Sequence, residues 1–406
     1  MQLVEKHIIS KNHNHYKECN DLSFLSKNLY NKANYIIRQE FIHNSKYLSY
    51  TDINRIMIDA NDNDYRMFPA KVSNGILRVL DKNWISYFKS IKDWAKNPSK
   101  YLGKPKLPKY KHKTDGRNVI PFELKAVSKT ELVKNGLIHL SKTDIYIKSK
   151  IKYEDLQAVR IVPRYDHYVI EVIYNKEIEN KNLNTENILG IDLGMNNLAS
   201  CADTNGNTFI INGKPIKSIN QYYNKTKAKL QSKLERDQYK SKRINKLTNK
   251  RNNKIDNYLH KTSKYIIDYC LAFNVGKIVI GNNDNWKQKI NLGKKTNQNF
   301  VSIPFEKLIS HLQYKAKLLS IDVFITEESY TSKCSFIDDE PMKHHNKYVG
   351  KRVKRGMFKS ANNVFINADI NGAFNMIRKV VPLFNFNQLK YGIEDVAVHP
   401  MRITFA

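Results

Sequence analysis

The chain has 406 residues, enough for two or three domains with substantial cores. Its 69 lysines and arginines against 38 acids leave a formal net charge of +31, which opposes compaction and points to a large polyanion as partner. The 41% hydrophobic content and 24 tyrosines exclude a disordered basic tail, and no run approaches the ~18 apolar residues of a membrane helix.

MQLVEKHII opens the chain as a short strand. Leu22, Leu25, Leu29, Ala33, Ile36 and Ile37 then recur at helical spacing, with Asp21 placed as N-cap. A second amphipathic pattern runs through Ile76, Leu80, Trp84, Phe88, Ile91 and Trp94, so residues 21–97 predict a small helical unit. YLGKPKLPKYKHK (101–113) reads as a proline-punctuated basic loop. GLIHL, DIYIKS, AVRIVPR and HYVIEVIY predict short strands of a β-barrel-like piece over roughly 116–176, which the first strand joins. Residues 177–187 read as a linker. From 188 onward NILGIDL, NLASCAD and TFIING predict an antiparallel meander, turned at DTNGN. A dinucleotide-binding fold would follow its first strand with a glycine-rich helix instead. Residues 214–264 carry 16 Lys/Arg against three acids, with Leu230, Leu234, Leu247 and Ile255 as sparse anchors, and predict one or two long basic helices. GKIVIG (276–281) is the next strand, SIPFEKLISHLQYKAKLL a helix, and DVFIT (322–326) a strand. INADINGAFNMIRKVV (366–381) enters a last helix. The scattered cysteines Cys19, Cys201, Cys270 and Cys334 fit a reducing, cytoplasmic setting, and the N-terminus lacks a signal-peptide core.

Within ILGIDLGMNNLAS (188–200) one aspartate, Asp192, ends an otherwise apolar strand. A charge there is costly unless something pairs with it. Asp369 stands at the start of the last helix. Either residue alone is explained by turn or helix capping. In a ribonuclease-H-like sheet, however, these two positions converge at one edge. Paired carboxylates there can hold two Mg²⁺ ions about 3.5–4 Å apart, activating a water against a phosphodiester.

Several blocks in order resemble the TnpB family of transposon-encoded, RNA-guided DNA endonucleases, which is related to the type V CRISPR effectors. They are GIDLGMNNLA, RNNKIDNYLHKTSKYI, IPFEKLISHLQYKA with ESYTSK, NADINGAFN, the C-terminal VAVHPMRI, and the basic loop GKPKLPKYK. The resemblance implies an α+β multidomain fold: a helical recognition unit, a wedge-type β-barrel and a RuvC (ribonuclease-H-like) nuclease domain. Implied boundaries are 1–20 for the first wedge strand, 21–103 for the recognition unit and 104–180 for the wedge barrel. The nuclease domain then runs over 181–328 with its basic insertion 214–264, a degenerate target-nucleic-acid-binding insertion over 329–362, and its C-terminal part over 363–406. Implied partners are a guide RNA from the transposon end and target double-stranded DNA, in a bacterial cytoplasm and away from membranes. Mg²⁺, replaceable by Mn²⁺, is the implied cofactor. Nucleic-acid contacts fall to Lys104, Lys106, Lys109 and Lys111; to Lys242, Arg243, Lys246, Lys250 and Arg251; and to Lys351, Arg352, Lys354 and Arg355. Tyr222, Tyr223 and Tyr258 are candidates for base stacking or for plain core packing.

Two departures from the family pattern matter. The strand IVIGNNDNW carries Gly281 where the family's second motif places a glutamate. The following strand ends ITEESYTSK, so Glu327, or Glu328 close behind it, is expected to complete a site with Asp192 and Asp369; Asp284 is a weaker candidate. The second departure is the loss of paired Cys-x-x-Cys motifs: CSFIDDEPMKHHNKYVGKRVKRG retains only Cys334 with His344 and His345, so no zinc is expected. Two other readings compete. Gly281 motivates a nuclease-dead, RNA-guided repressor. GIDLG also opens actin-like ATPases, but a second phosphate loop and a near-neutral surface are missing.

Overall fold

The structure, a computed structural model, describes residues 1–235, 238–239, 241–282, 302–389 and 399–405. Contacts divide the chain into two units, Met1–Lys176 and Glu177–Ala406.

In the first unit, β1 (Gln2–Ile9) alternates exposed and half-buried residues and pairs antiparallel with the last strand of the unit. Four helices follow: α1 (Tyr16–Asn44), α2 (Tyr50–Asp59), the single turn α3 (Asn63–Arg66) and α4 (Ala70–Lys96). Asp21 is not a cap. Helix α1 starts at Tyr16, with His15 making no side-chain capping bond, and Asp21 lies inside it. A working cap is Ser49, which forms a reciprocal box with Asp52 at the start of α2. Trp84 is fully buried among Phe41, Tyr47 and Phe88. The strands β2 (Ile120–Glu123), β5 (Leu156–Pro163) and β6 (Tyr168–Asn175) join β1 in the order β1-β6-β5-β2. Helix α5 (Lys129–Asn135) leads into the hairpin of β3 (Leu137–His139) and β4 (Tyr146–Lys148). Among the described residues β1, β6, β5 and β2 form one four-stranded sheet, with β3 and β4 as a separate hairpin.

The second unit is built on a six-stranded sheet. β7 (Asn184–Leu193), β8 (Asn197–Asp203) and β9 (Thr208–Asn212) form the antiparallel meander. Strand β7 begins inside the stretch read as a linker, because polar Asn184 pairs with Val275. The basic helices are α6 (Lys214–Gln231) and α7 (Lys242–Ala272). Then come β10 (Val275–Gly281), α8 (Phe305–Lys317) and β11 (Asp322–Thr326). Strand β10 lies parallel to β7, and β11 parallel to β10. A small sheet of β12 (Lys351–Lys354), β13 (Met357–Lys359) and β14 (Phe365–Asn367) precedes α9 (Ala368–Val380), and β15 (Met401–Ile403) adds to β9. The order β11-β10-β7-β8-β9 is a meander followed by two parallel crossovers on its first strand, the ribonuclease-H-like arrangement.

The pleat sorts the sheet into two faces. Leu189, Ile191, Leu193, Ile278 and Ile280 pack with α7 and α8, whereas Ile188 and Val279 pack with α9. Gly190 belongs to the α9 face, and a Cβ there would strike the Ala373 carbonyl and Ile377. That glycine lets α9 lie directly on β7, which brings Asp369 to the end of the strand that carries Asp192.

Candidate active site

Three acids reach the edge of the sheet on its α9 face. Asp192 is next in alternation after Gly190, and it sits against Gly372 of α9, where a Cβ would lie 2.9 Å from its Oδ2. Asp369 lies in the first turn of α9, where the partial positive charge of the helix N-terminus favours a carboxylate. Asn367 caps that turn, accepting from the backbone N–H groups of Asp369 and Ile370 at 3.0 and 3.3 Å. The third acid is Glu328. In the β10–β11 register Gly281 pairs with Thr326, so Thr326 shares the face of Gly281, and alternation returns to that face at residue 328. A Cβ on Gly281 would meet the Glu328 Cγ at 2.7 Å and Oε1 at 2.9 Å. The Glu328 carboxyl thus fills the space that a side chain at 281 would enter. Glu327, the first choice from sequence, is exposed on the other side. Asp284 lies outside the described residues.

The electrostatics agree with this grouping. Burial pushes the Asp192 carboxyl well above the ordinary carboxylate range, the negative charges of Glu328 and Asp369 push it further, and Arg352 opposes them. Burial raises Glu328 to about 7. Asp369 accepts from Asn197 Nδ2 at 2.6 Å and from Arg352 Nη2 at 3.0 Å. Asp192, Asp369 and Asn197 line an 800 Å³ cleft whose walls carry Lys214, Lys217, Arg352, Arg355 and Arg402. Lys214 and Lys217 belong to the basic stretch 214–264, whose cations the sequence points to as lining a nucleic-acid channel. Asn197 and Arg402 carry no such signal: both stand inside quoted motifs, but their roles depend on contacts between distant segments, such as Arg402 donating to Asn197 Oδ1 at 3.1 Å.

Among the described residues no group of three His, Cys, Asp or Glu side chains is positioned to hold a metal ion. The donor chemistry nevertheless suits a hard divalent cation: oxygen ligands only, and carboxylates whose mutual repulsion a cation would relieve. Arg352 occupies part of that role at Asp369.

The segment 331–340 is fastened to α9 by buried polar side chains. Asn371 donates to the Cys334 carbonyl at 2.9 Å and accepts from the Phe336 N–H at 2.9 Å; Asn375 donates to the Thr331 and Cys334 carbonyls at 2.9 and 2.8 Å. Phe336 stacks on Phe374 at 4.5 Å. The Cys334 thiol points to the Pro341 carbonyl at 3.5 Å, and His345 Nε2 lies 2.7 Å from the same oxygen. Lys351, Arg352, Lys354 and Arg355 stand exposed on the β12–β13 hairpin, which turns at Gly356 with φ +79°.

The remaining cations divide into free and fastened. Lys242, Arg243, Lys246 and Lys250 are exposed along α7, whereas Arg251 turns inward to donate to Asn220 Oδ1 at 2.8 Å and the Ser302 carbonyl at 2.7 Å. In the first unit Lys104, Lys106 and Lys109 are exposed on a loop that Asn31, Asn34 and Arg38 of α1 tie down through its backbone; Lys111 lies half-buried over the Tyr30 ring.

Together, a ribonuclease-H-like sheet and an acid cluster set in a cationic cleft define an α+β protein built to handle a polyanion. A family model described as "Probable transposase" matches residues 167–287, and one described as "Cas12f1-like, TNB domain" matches residues 305–376. A TnpB-like protein of Methanocaldococcus jannaschii is 30% identical over 170 residues, covering 40% of this chain and 60% of that protein. A TnpB-like protein of Acidianus two-tailed virus is 23% identical over 419 residues, covering 93% of this chain and 86% of that protein. A solved Cas12f1–sgRNA–target DNA complex contains a chain of the same fold, with a TM-score of 0.54 at 16% identity over 89% of this chain and 82% of that one. Over these segments the chain is similar to TnpB-like proteins, and the first of those relatives is matched over 60% of its own length.

Proposed function

We propose that the chain is an RNA-guided DNA endonuclease that hydrolyses phosphodiesters at the edge of the β7–β10 sheet. One observation carries the reading: Asp192, Glu328 and Asp369 meet electrostatically beside a cleft walled by five cations. In this reading Asp192, Asp369 and Glu328 would hold Mg²⁺ or Mn²⁺, which when bound would supply an activated water and neutralise charge on the departing oxygen. Lys214, Lys217 and Arg402 bind and orient the phosphate backbone, and Asn197 fixes the Asp369 carboxylate. Sequence is read by base pairing with a guide RNA, next to a short duplex motif. The nucleic-acid partners are supported by what the Cas12f1 complex contains. The expectation of no zinc joins the proposal, since Cys334 and His345 both face the Pro341 carbonyl; elemental analysis of protein purified without chelator is expected to show far less than one ion per chain.

Purified protein carrying its native flanking transcript is expected to cut matched DNA in Mg²⁺ or Mn²⁺ and to stop in chelator. Guided binding without any cutting would favour the second reading, a guided repressor, which Gly281 motivates.

A further inference from the structure

We propose that the groove between α6 and α7 is a stacking pocket for an unpaired base of single-stranded RNA. This rests on the nucleic-acid-binding part of the function proposed above and is independent of its nuclease part. The groove encloses 380 Å³, within the range of small-ligand pockets. Ile219 and Leu247 give it apolar walls, Tyr222 and Tyr223 give it aromatic ones, and Lys250 and Lys254 stand one helical turn apart at its rim.

The two tyrosines differ. Tyr223 is fastened: its hydroxyl lies 3.1 Å from that of Thr248, and the Arg251 guanidinium lies 5.4 Å from its ring centre. Arg251 is itself held by Asn220 and the Ser302 carbonyl, so this wall is set before any ligand arrives. Tyr222 is 67% exposed, an aromatic face that core packing leaves to solvent. A preformed wall, an open aromatic platform and two lysines at phosphate reach make a combination that stacks a base and holds its backbone.

Charge selects the ligand class. With 16 Lys/Arg against three acids over 214–264, the surroundings favour a polyanion and repel a basic amphipathic helix. A duplex hides its base faces, so the base must be unpaired. Folded RNA presents such bases at fixed places in loops and bulges, which matches a rigid pocket.

The test is fluorescence-anisotropy titration of nucleic-acid-free full-length protein with a labelled single-stranded RNA over a range of salt. Tyr222→Ala is expected to weaken binding by roughly 5- to 100-fold, and Tyr222→Phe to restore it. Stacking releases no counterions, so Tyr222→Ala should leave the salt slope unchanged, whereas Lys250→Gln with Lys254→Gln should lower it by about 1.4. A fully paired RNA should bind wild type and Tyr222→Ala alike. Tyr222→Ala binding within about twofold of wild type would overturn the pocket; equal sensitivity with single-stranded DNA would overturn its assignment to RNA. A catalytically silent protein whose RNA binding still depends on Tyr222 supports the pocket and sinks the nuclease reading. An active nuclease indifferent to Tyr222 does the reverse.

Discussion

The floor of the cleft and the outer face of α7 hold charge on opposite terms. On the floor, Asp192 and Asp369 are crowded with nearby Glu328, and burial with like-charge repulsion drives the Asp192 proton affinity far up. Along α7, Lys242, Arg243, Lys246 and Lys250 are spread over exposed turns where water screens them. Concentrated buried charge costs folding free energy, so its persistence argues for chemistry. Diluted exposed charge costs little and, in the proposed function, holds a backbone of any sequence. Arg251 shows the boundary between the two: one residue after Lys250, its charge is spent inside the fold.

The contrast breaks if acids and cations respond alike to substitution. Asp192→Asn and Asp369→Asn should each lower cleavage on the order of 10⁴-fold while guided DNA binding persists, read by single-turnover cleavage beside gel shift. Replacing Lys242, Arg243, Lys246 and Lys250 with glutamine should instead weaken RNA binding and flatten its logarithmic salt slope by about 3. Arg251→Gln should leave that slope nearly unchanged and cost about 1–2 kcal/mol of stability in denaturant unfolding. Arg352→Gln removes a cation that competes at Asp369, so calorimetry with Mn²⁺ should show roughly 3- to 10-fold tighter binding.

The smallest effect is a pH dependence. Glu328 is raised from 4.5 to about 7 in the folded protein, so between those values the folded state binds more protons than the unfolded state. Stability must then fall as pH rises through that window. Metal-free wild type should lose melting temperature from pH 5 to pH 7.5, as differential scanning fluorimetry reads it, and Glu328→Gln should lose less.

Much of this was legible in the sequence where the pattern is local. Alternation exposed β7, β8 and β9, and a lone acid ending an apolar strand exposed Asp192. Helix α1 was misplaced because its true start has no side-chain cap, while Asp21 offers a capping residue in the wrong place. The first four residues of β7 are polar and carry no period; β7 extends to them because Asn184 pairs with Val275. The choice between Glu327 and Glu328 needed the Gly281–Thr326 register, which neither strand encodes alone. The Asn371 and Asn375 clamp joins residues far apart in the chain, so no spacing announces it.

The central claim is that the acid missing from β10 is supplied from beyond the end of β11, by Glu328. The direct measurement is guided DNA cleavage by Glu328→Gln and Glu327→Gln, each loaded with the same RNA and shown to bind the target. The account predicts that Glu328→Gln loses cleavage by roughly 10³-fold or more and that Glu327→Gln cuts like wild type. Wild-type cleavage by Glu328→Gln, with or without a loss in Glu327→Gln, would contradict it.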